Sequence, residues 1–159
     1  MATKRFLIAG MLVAGIAIVT SSARAADVTA SGKNMFVNKV LESFKLPDGT
    51  MAMRVLSSGF ITADDPANPL SLASMTCSGT SVTRAEATVR GAGTCDSVDA
   101  DGHVAFYWWR FDENGGGQWG FLGGTGKWAG VEGGGTYAPG QAWKDGRTSN
   151  TWKGSWKAR

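Results

Sequence analysis

From Met51 onward the chain sets short apolar–polar alternations between turn formers, a period of two that predicts β-strands. Met51–Ile61 is the first clear run. Leu72–Ser78 and Thr80–Arg90 follow, both rich in Thr, Ser and Val, with Cys95 closing that unit. The strongest run is His103–Phe111. His103, Ala105, Tyr107, Trp109 and Phe111 share one of its faces, and Val104, Phe106, Trp108 and Arg110 the other. Both faces are mostly apolar or aromatic, so this strand is expected to be covered on both sides. Gln118–Leu122, Val131–Ala138 and Thr148–Lys157 complete the set. Turn signals separate the runs: the Asp64–Pro69 loop, Asp99-Ala100-Asp101-Gly102, Asn114 with the glycines after it, Pro139-Gly140 and Lys144–Arg147. Ser31–Leu46 is ambiguous. Phe36, Val40, Leu41 and Phe44 fit helical spacing, whereas Phe44 and Leu46 begin an alternation, and a hairpin across Pro47-Asp48-Gly49 is the preferred reading. Seven or eight strands with turns about every ten residues indicate an all-β domain, a small antiparallel β-barrel with a β-sandwich as the alternative.

Glycine sharpens this picture. Gly115–Gly140 holds 12 glycines in 26 residues, a density usual in flexible linkers. Here the glycines are interleaved with Trp119, Phe121, Trp128, Val131 and Tyr137, which no linker would carry. Large rings between glycines suit a tightly turned sheet, where glycine permits bulges and leaves room for neighbouring rings. All seven tryptophans lie between Trp108 and Trp156, which places the aromatic core in the C-terminal half.

Residues 1–25 read as a secretory signal peptide. Lys4 and Arg5 form a basic start, Phe6–Val19 is an uncharged, mostly apolar run of 14 residues, and Ala23-Arg24-Ala25 is a small-x-small cleavage site. The run is short for a membrane span, which needs about 20 residues, so an uncleaved anchor is the second reading. Residues 26–159 then form one domain, periplasmic or secreted. Three of the 16 basic residues, Lys4, Arg5 and Arg24, leave with the leader, so 13 remain against 13 acidic ones. The mature chain is near neutral, which removes the basic footprint of a nucleic-acid or membrane partner. Cys77 and Cys95 would meet an oxidising compartment, and a disulfide between them is expected. Free thiols or metal ligands are the alternative, and no His or further Cys at metal-site spacing supports the latter.

Candidate chemistry is sparse. Gly124-Thr125-Gly126-Lys127 resembles a phosphate loop, but the position five before Gly126 is Phe121 and the residue after Lys127 is Trp128, so the pattern fails. Asp96, Asp99 and Asp101 resemble half a calcium loop, yet the twelfth position counted from Asp99 is Arg110 instead of Glu. The plainer reading is an Asp-Gly turn whose carboxylates cap backbone amides. His103, the single histidine, has no nucleophile elbow to serve, and Met51 and Met53 lack a His or Cys partner for copper. No cofactor and no metal are therefore expected. Arg110 and Glu132 each lie in a segment otherwise built for burial, and a buried charge needs a partner. Facing inward they would form a polar base that orients a ligand oxygen; on the outer wall they would simply be solvated. Tyr107 and Trp109 are the aromatic candidates for lining a cavity.

The order Cys77-Ser78-Gly79, Cys95, Asp99-Ala100-Asp101-Gly102, Gly123-Gly124-Thr125-Gly126-Lys127-Trp128-Ala129-Gly130 and Trp152-Lys153-Gly154 resembles a group of exported bacterial proteins. These are similar to the allene oxide cyclase and dirigent-type barrel, also called calycin-like. The resemblance covers about Asp48 to Trp156. It implies an eight-stranded barrel around a central apolar cavity. The expected function is binding of a small apolar or aromatic molecule. A cofactor-free cyclase or isomerase is the enzymatic alternative implied by the resemblance, and none of that family's catalytic residues can be placed on this sequence. A glycan- or surface-binding module is the third, and outward-facing Trp152 and Trp156 would favour it.

Overall fold

The computed structural model describes residues 26–84, 89–112 and 116–158. Eight strands pair antiparallel, each with the next in sequence, and the last returns to the first: β1 Ala26–Lys45, β2 Met51–Ala63, β3 Ser74–Thr83, β4 Val89–Val98, β5 Val104–Phe111, β6 Gly117–Gly124, β7 Glu132–Ala142 and β8 Arg147–Ala158. Closure leaves no free sheet edge along the shared length of the strands, and it selects the barrel over the sandwich. The leader expected over residues 1–25 lies outside the described residues.

Ser31–Leu46 resolves as strand. Phe36 and Val40 share a face in a helix, but four residues is also two strand periods, and both line the barrel interior together with Asn34 and Asn38. The expected Pro47–Gly49 hairpin is present, with Gly49 at φ +81° and the Thr50 N–H bonded to Asp48 Oδ1 at 3.0 Å. A bulge between Val40 and Glu42 shifts the register of β1 against β2. β1 pairs with β8 only as far as Val37, while its pairing with β2 continues to Lys45. The tip of this hairpin therefore stands beyond the β8 rim, with Val37, Val40, Leu41, Phe44 and Leu46 exposed.

Two sequence expectations are corrected. β3 runs unbroken through Gly79, where a break between two runs was expected. Glycine is needed there for space: a Cβ would lie 2.4 Å from Trp109 Cζ2 of β5. Pro139-Gly140 is not a turn but part of β7, at a bulge where the register steps from Pro139↔Asn150 to Ala142↔Thr148. Pairing of β6 with β7 stops at Tyr137, so Pro139 has no ladder bond to lose on that side. The chain reverses instead at Trp143–Gly146, closed by Trp143 N–H to Arg147 O at 2.8 Å.

The core lies at the end where β1 begins. Trp128, Val131 and Trp156 are 2–4% exposed there, with Ala105 fully covered and Phe121 against them. Phe121 stacks on Trp128 with centroids 5.8 Å apart and meets Trp156 edge-on at 5.6 Å. The β2–β3 loop folds over the same end, burying Leu70 and Ala73 and fixed by Asn68 Oδ1, which accepts the Leu70 N–H at 3.0 Å.

Candidate functional site

A cavity of about 530 Å³ occupies the rest of the interior. Ile61, Leu70, Met75 and Tyr107 form its floor above the plugged end, and it extends to the exposed residues Val40, Gln141 and Ala142 at the opposite rim. The Cys77–Cys95 disulfide forms as expected and is part of the wall, joining facing residues of β3 and β4. Disulfides persist in oxidising compartments, so the bond fits an extracytoplasmic location.

The cavity has two unlike walls. One is aromatic: Trp109 and Trp119 are cross-strand partners on β5 and β6, flanked by Phe111, Tyr137 and Trp152. Trp109 meets Phe111 at 5.1 Å, and Trp119 stands edge-on to Trp152 at 6.1 Å and 88°. Glycines make this crowding possible. Gly79 and Gly93 leave room for the Trp109 ring and Gly154 for Trp119, where a Cβ would come within 2.4–2.6 Å of ring carbons. The other wall, on β1, β2 and β8, carries neutral polar groups. Asn34 Nδ2 donates to Asn150 Oδ1 at 2.9 Å, Asn38 Nδ2 donates to Thr148 Oγ1 at 2.8 Å, and Ser57 Oγ donates to Asn38 Oδ1 at 2.6 Å. Asn34 Oδ1 and the indole N–H groups of Trp109, Trp119 and Trp152 are buried without a hydrogen-bond partner. Each such group costs roughly 1–3 kcal/mol.

Among the described residues the lining holds no Asp, Glu, Lys, Arg or His. Its titratable groups are two phenols, both engaged. Burial pushes the Tyr107 hydroxyl up, with the Asp99 charge adding to the effect against an opposing hydrogen bond from Ser97, whose Oγ lies 2.8 Å away. Burial also pushes the Tyr137 hydroxyl up, aided by the Asp112 charge, and that hydroxyl donates to the Arg110 carbonyl at 2.9 Å. Neither is poised to exchange a proton near neutral pH.

Of the sequence candidates, Tyr107 and Trp109 line the cavity. Arg110 and Glu132 do not meet there. Both are exposed, on the outer wall. Arg110 follows Trp109 along β5 and so takes the opposite face, where its guanidinium bonds Gln118 Oε1 and lies 5.8 Å from the Trp108 ring centroid. Trp152 and Trp156 are buried, so neither forms an outward platform for a glycan. The sequence reading overlooked Asn34, Asn38 and Asn150, which line the cavity and which no sequence signal sets apart.

The acidic turn is a structural clamp. Asp99 is buried, and its Oδ1 accepts the N–H of Asp101 at 2.9 Å and of His103 at 3.0 Å. Its Oδ2 accepts the Trp128 indole N–H at 2.9 Å. Lys127 reaches Asp99 Oδ2 at 3.2 Å and Asp101 Oδ2 at 2.6 Å. Asp99, Asp101 and His103 place ligand atoms within 4.8 Å of one another, but the Lys127 ammonium already supplies the cation. Burial pushes the Asp99 carboxyl up, yet the bonds from Trp128, His103, Lys127 and Asp101 outweigh it and hold the group below its ordinary 3.8. The glycine-rich run supplies the other half of the clamp. Gly126–Trp128 is a single 3-10 turn, and Gly126 combines φ +55° with an approach to the His103 ring that any Cβ would block.

A scan of protein-family models finds no match, and a search of curated proteins finds none either. Among solved structures the chain is similar to the pterocarpan synthase dirigent protein GePTS1, with a TM-score of 0.53 at 11% identity over 94% of this chain and 99% of that one. With the closed eight-stranded topology, the likeness gives this chain the fold of the dirigent and allene oxide cyclase type of β-barrel.

Proposed function

We propose that the protein is an exported, periplasmic or secreted, binding protein that holds one small, uncharged, largely apolar molecule inside the barrel. The observation that carries this reading is the cavity itself: about 530 Å³, walled on one side by aromatic rings and free of charged side chains among the described residues. A charged ligand would find no counter-ion among the described lining residues and would lose its hydration without compensation. The disulfide supports the exported location.

Native mass spectrometry of the oxidised protein, together with a fluorescence titration using N-phenyl-1-naphthylamine as a neutral probe, tests it. Saturable 1:1 binding that quenches tryptophan emission is expected. No binding of the probe and no co-purifying small molecule would sink the reading.

A second reading rests on the fold likeness to a dirigent protein described as a pterocarpan synthase. A cavity without a free acid or base can still direct a reactive molecule by confinement, since positioning alone lowers a barrier. This reading predicts that the protein alters the product ratio of an intramolecular cyclisation of a bound compound. The same ratio with and without protein would remove it.

A further inference from the structure

Resting on the reading of the barrel as a small-molecule site, we propose that the Asn34–Asn150 amide pair selects ligands that carry a neutral oxygen acceptor, a carbonyl above all, on an apolar ring system. The two residues are register partners on β1 and β8 and both line the cavity. Their one mutual hydrogen bond runs from Asn34 Nδ2 to Asn150 Oδ1. It fixes the Asn150 amide by its oxygen and leaves both of its N–H groups without a partner among the described residues. An amide nitrogen donates and never accepts, so the ligand atom it takes is an acceptor. Asn34 Oδ1 is also buried and unpartnered, so the pair's hydrogen bonding is incomplete within the fold. As an acceptor it takes a ligand donor, such as a hydroxyl next to the carbonyl.

The neighbouring polar group behaves differently. Asn38 is fully engaged: it donates to Thr148 and to the Gly146 carbonyl at 3.2 Å, and it accepts from Ser57. It braces the wall and has nothing left to read a ligand with. Asn150 lies two residues before Trp152, so the open amide and the aromatic wall adjoin on one face of β8. A ring system laid against Trp152 and Trp119 would bring an edge oxygen to Asn150. Neutrality follows from the lining, which among the described residues offers neither a cation for a carboxylate nor an anion for an amine.

The test compares fluorene with 9-fluorenone, planar molecules of the same skeleton that differ by one carbonyl oxygen, in competition with N-phenyl-1-naphthylamine. Wild-type protein is expected to prefer fluorenone by about three- to tenfold, the value of one net neutral hydrogen bond. Asn150→Leu should abolish that preference, so that the two compounds displace the probe equally well. Asn34→Leu combined with Asn150→Leu removes both amides, leaves no orphaned partner, and should behave the same way if the single variant folds poorly. A fluorenone preference that survives in the double variant overturns the proposal. Equal binding of the two compounds by wild-type protein also overturns it, with the cavity reading intact. If neither compound displaces the probe from wild-type protein, the proposal fails and the cavity reading stands. If the probe itself does not bind and no small molecule co-purifies, the cavity reading fails and takes the proposal with it.

Discussion

The two ends of the barrel are built from the same eight strands and do opposite things. At the end where β1 begins, Trp128, Val131 and Trp156 are buried to a few per cent exposure, and a carboxylate–ammonium clamp ties two turns together. Toward the other end the strands enclose a cavity, and the β1–β2 hairpin leaves Val37, Leu41 and Phe44 exposed. Side-chain packing is concentrated at one end, and the other encloses a cavity that side chains do not fill. An empty apolar cavity forfeits packing and is costly in a fold with no compensation elsewhere. Changes at the plugged end should therefore alter stability without altering binding, and changes on the cavity wall should alter both.

Asp99→Ala is the sharpest way to break that division. It leaves the Trp128 indole N–H buried without an acceptor and halves the carboxylates around Lys127. A loss of about 3–4 kcal/mol is expected, read by denaturant unfolding, with probe affinity unchanged in the folded fraction. A loss under about 1 kcal/mol would mean that the clamp is not what holds the plugged end. The pH dependence has a definite sign. Because Asp99 is held below its ordinary 3.8 in the folded state, its contribution is complete above that value and is lost as pH falls through the depressed one. The melting temperature should fall below about pH 4, and Asp99→Asn should flatten that limb.

The disulfide belongs to both halves of the comparison, since it staples β3 to β4 and also forms cavity wall. Replacing Cys77 and Cys95 with alanine should cost about 3 kcal/mol, the entropy of a loop with a sequence separation of 18. It should also change probe affinity, which Asp99→Ala should not. Gly79→Ala tests the wall alone. The new methyl would meet the Trp109 ring and the Ala92 carbonyl, displace the indole and cost about 1–3 kcal/mol, with weaker probe binding. Wild-type affinity in that variant would show that the aromatic wall does not define the site.

How much of this was legible in the sequence differs between the two ends for physical reasons. Strand period and turn chemistry are local, so β2, β5, β8 and the Asp99–Gly102 turn could be read directly. The clamp was half legible: an Asp-Gly turn with capping carboxylates is a local pattern, but Lys127 reaches it only through the fold, from 26 residues away. The cavity's polar wall was not legible at all. Asn34 and Asn150 become neighbours only when β8 closes on β1, 116 residues apart, and an inward Asn has no sequence mark that separates it from an outward one. Gly79 misled for a related reason, since a glycine that makes room for a distant ring has the same letter as one that makes a turn.

The smallest expected effects come from the charges that the sequence made most conspicuous. Arg110 and Glu132 stood out because each interrupts an apolar segment, and that inference assumes both faces of the segment are buried. In a closed barrel only one face looks into the interior, and Phe106 at 46% exposure shows that even an apolar ring on β5 can face outward. Arg110→Ala should cost at most about 1 kcal/mol, the combined value of an exposed hydrogen bond and a cation–π contact. Glu132→Ala, exposed at the start of β7, should cost less than about 0.5 kcal/mol. Neither should change affinity for N-phenyl-1-naphthylamine. A tenfold loss of probe binding in either variant would place the ligand on the outer wall, because neither side chain lines the cavity.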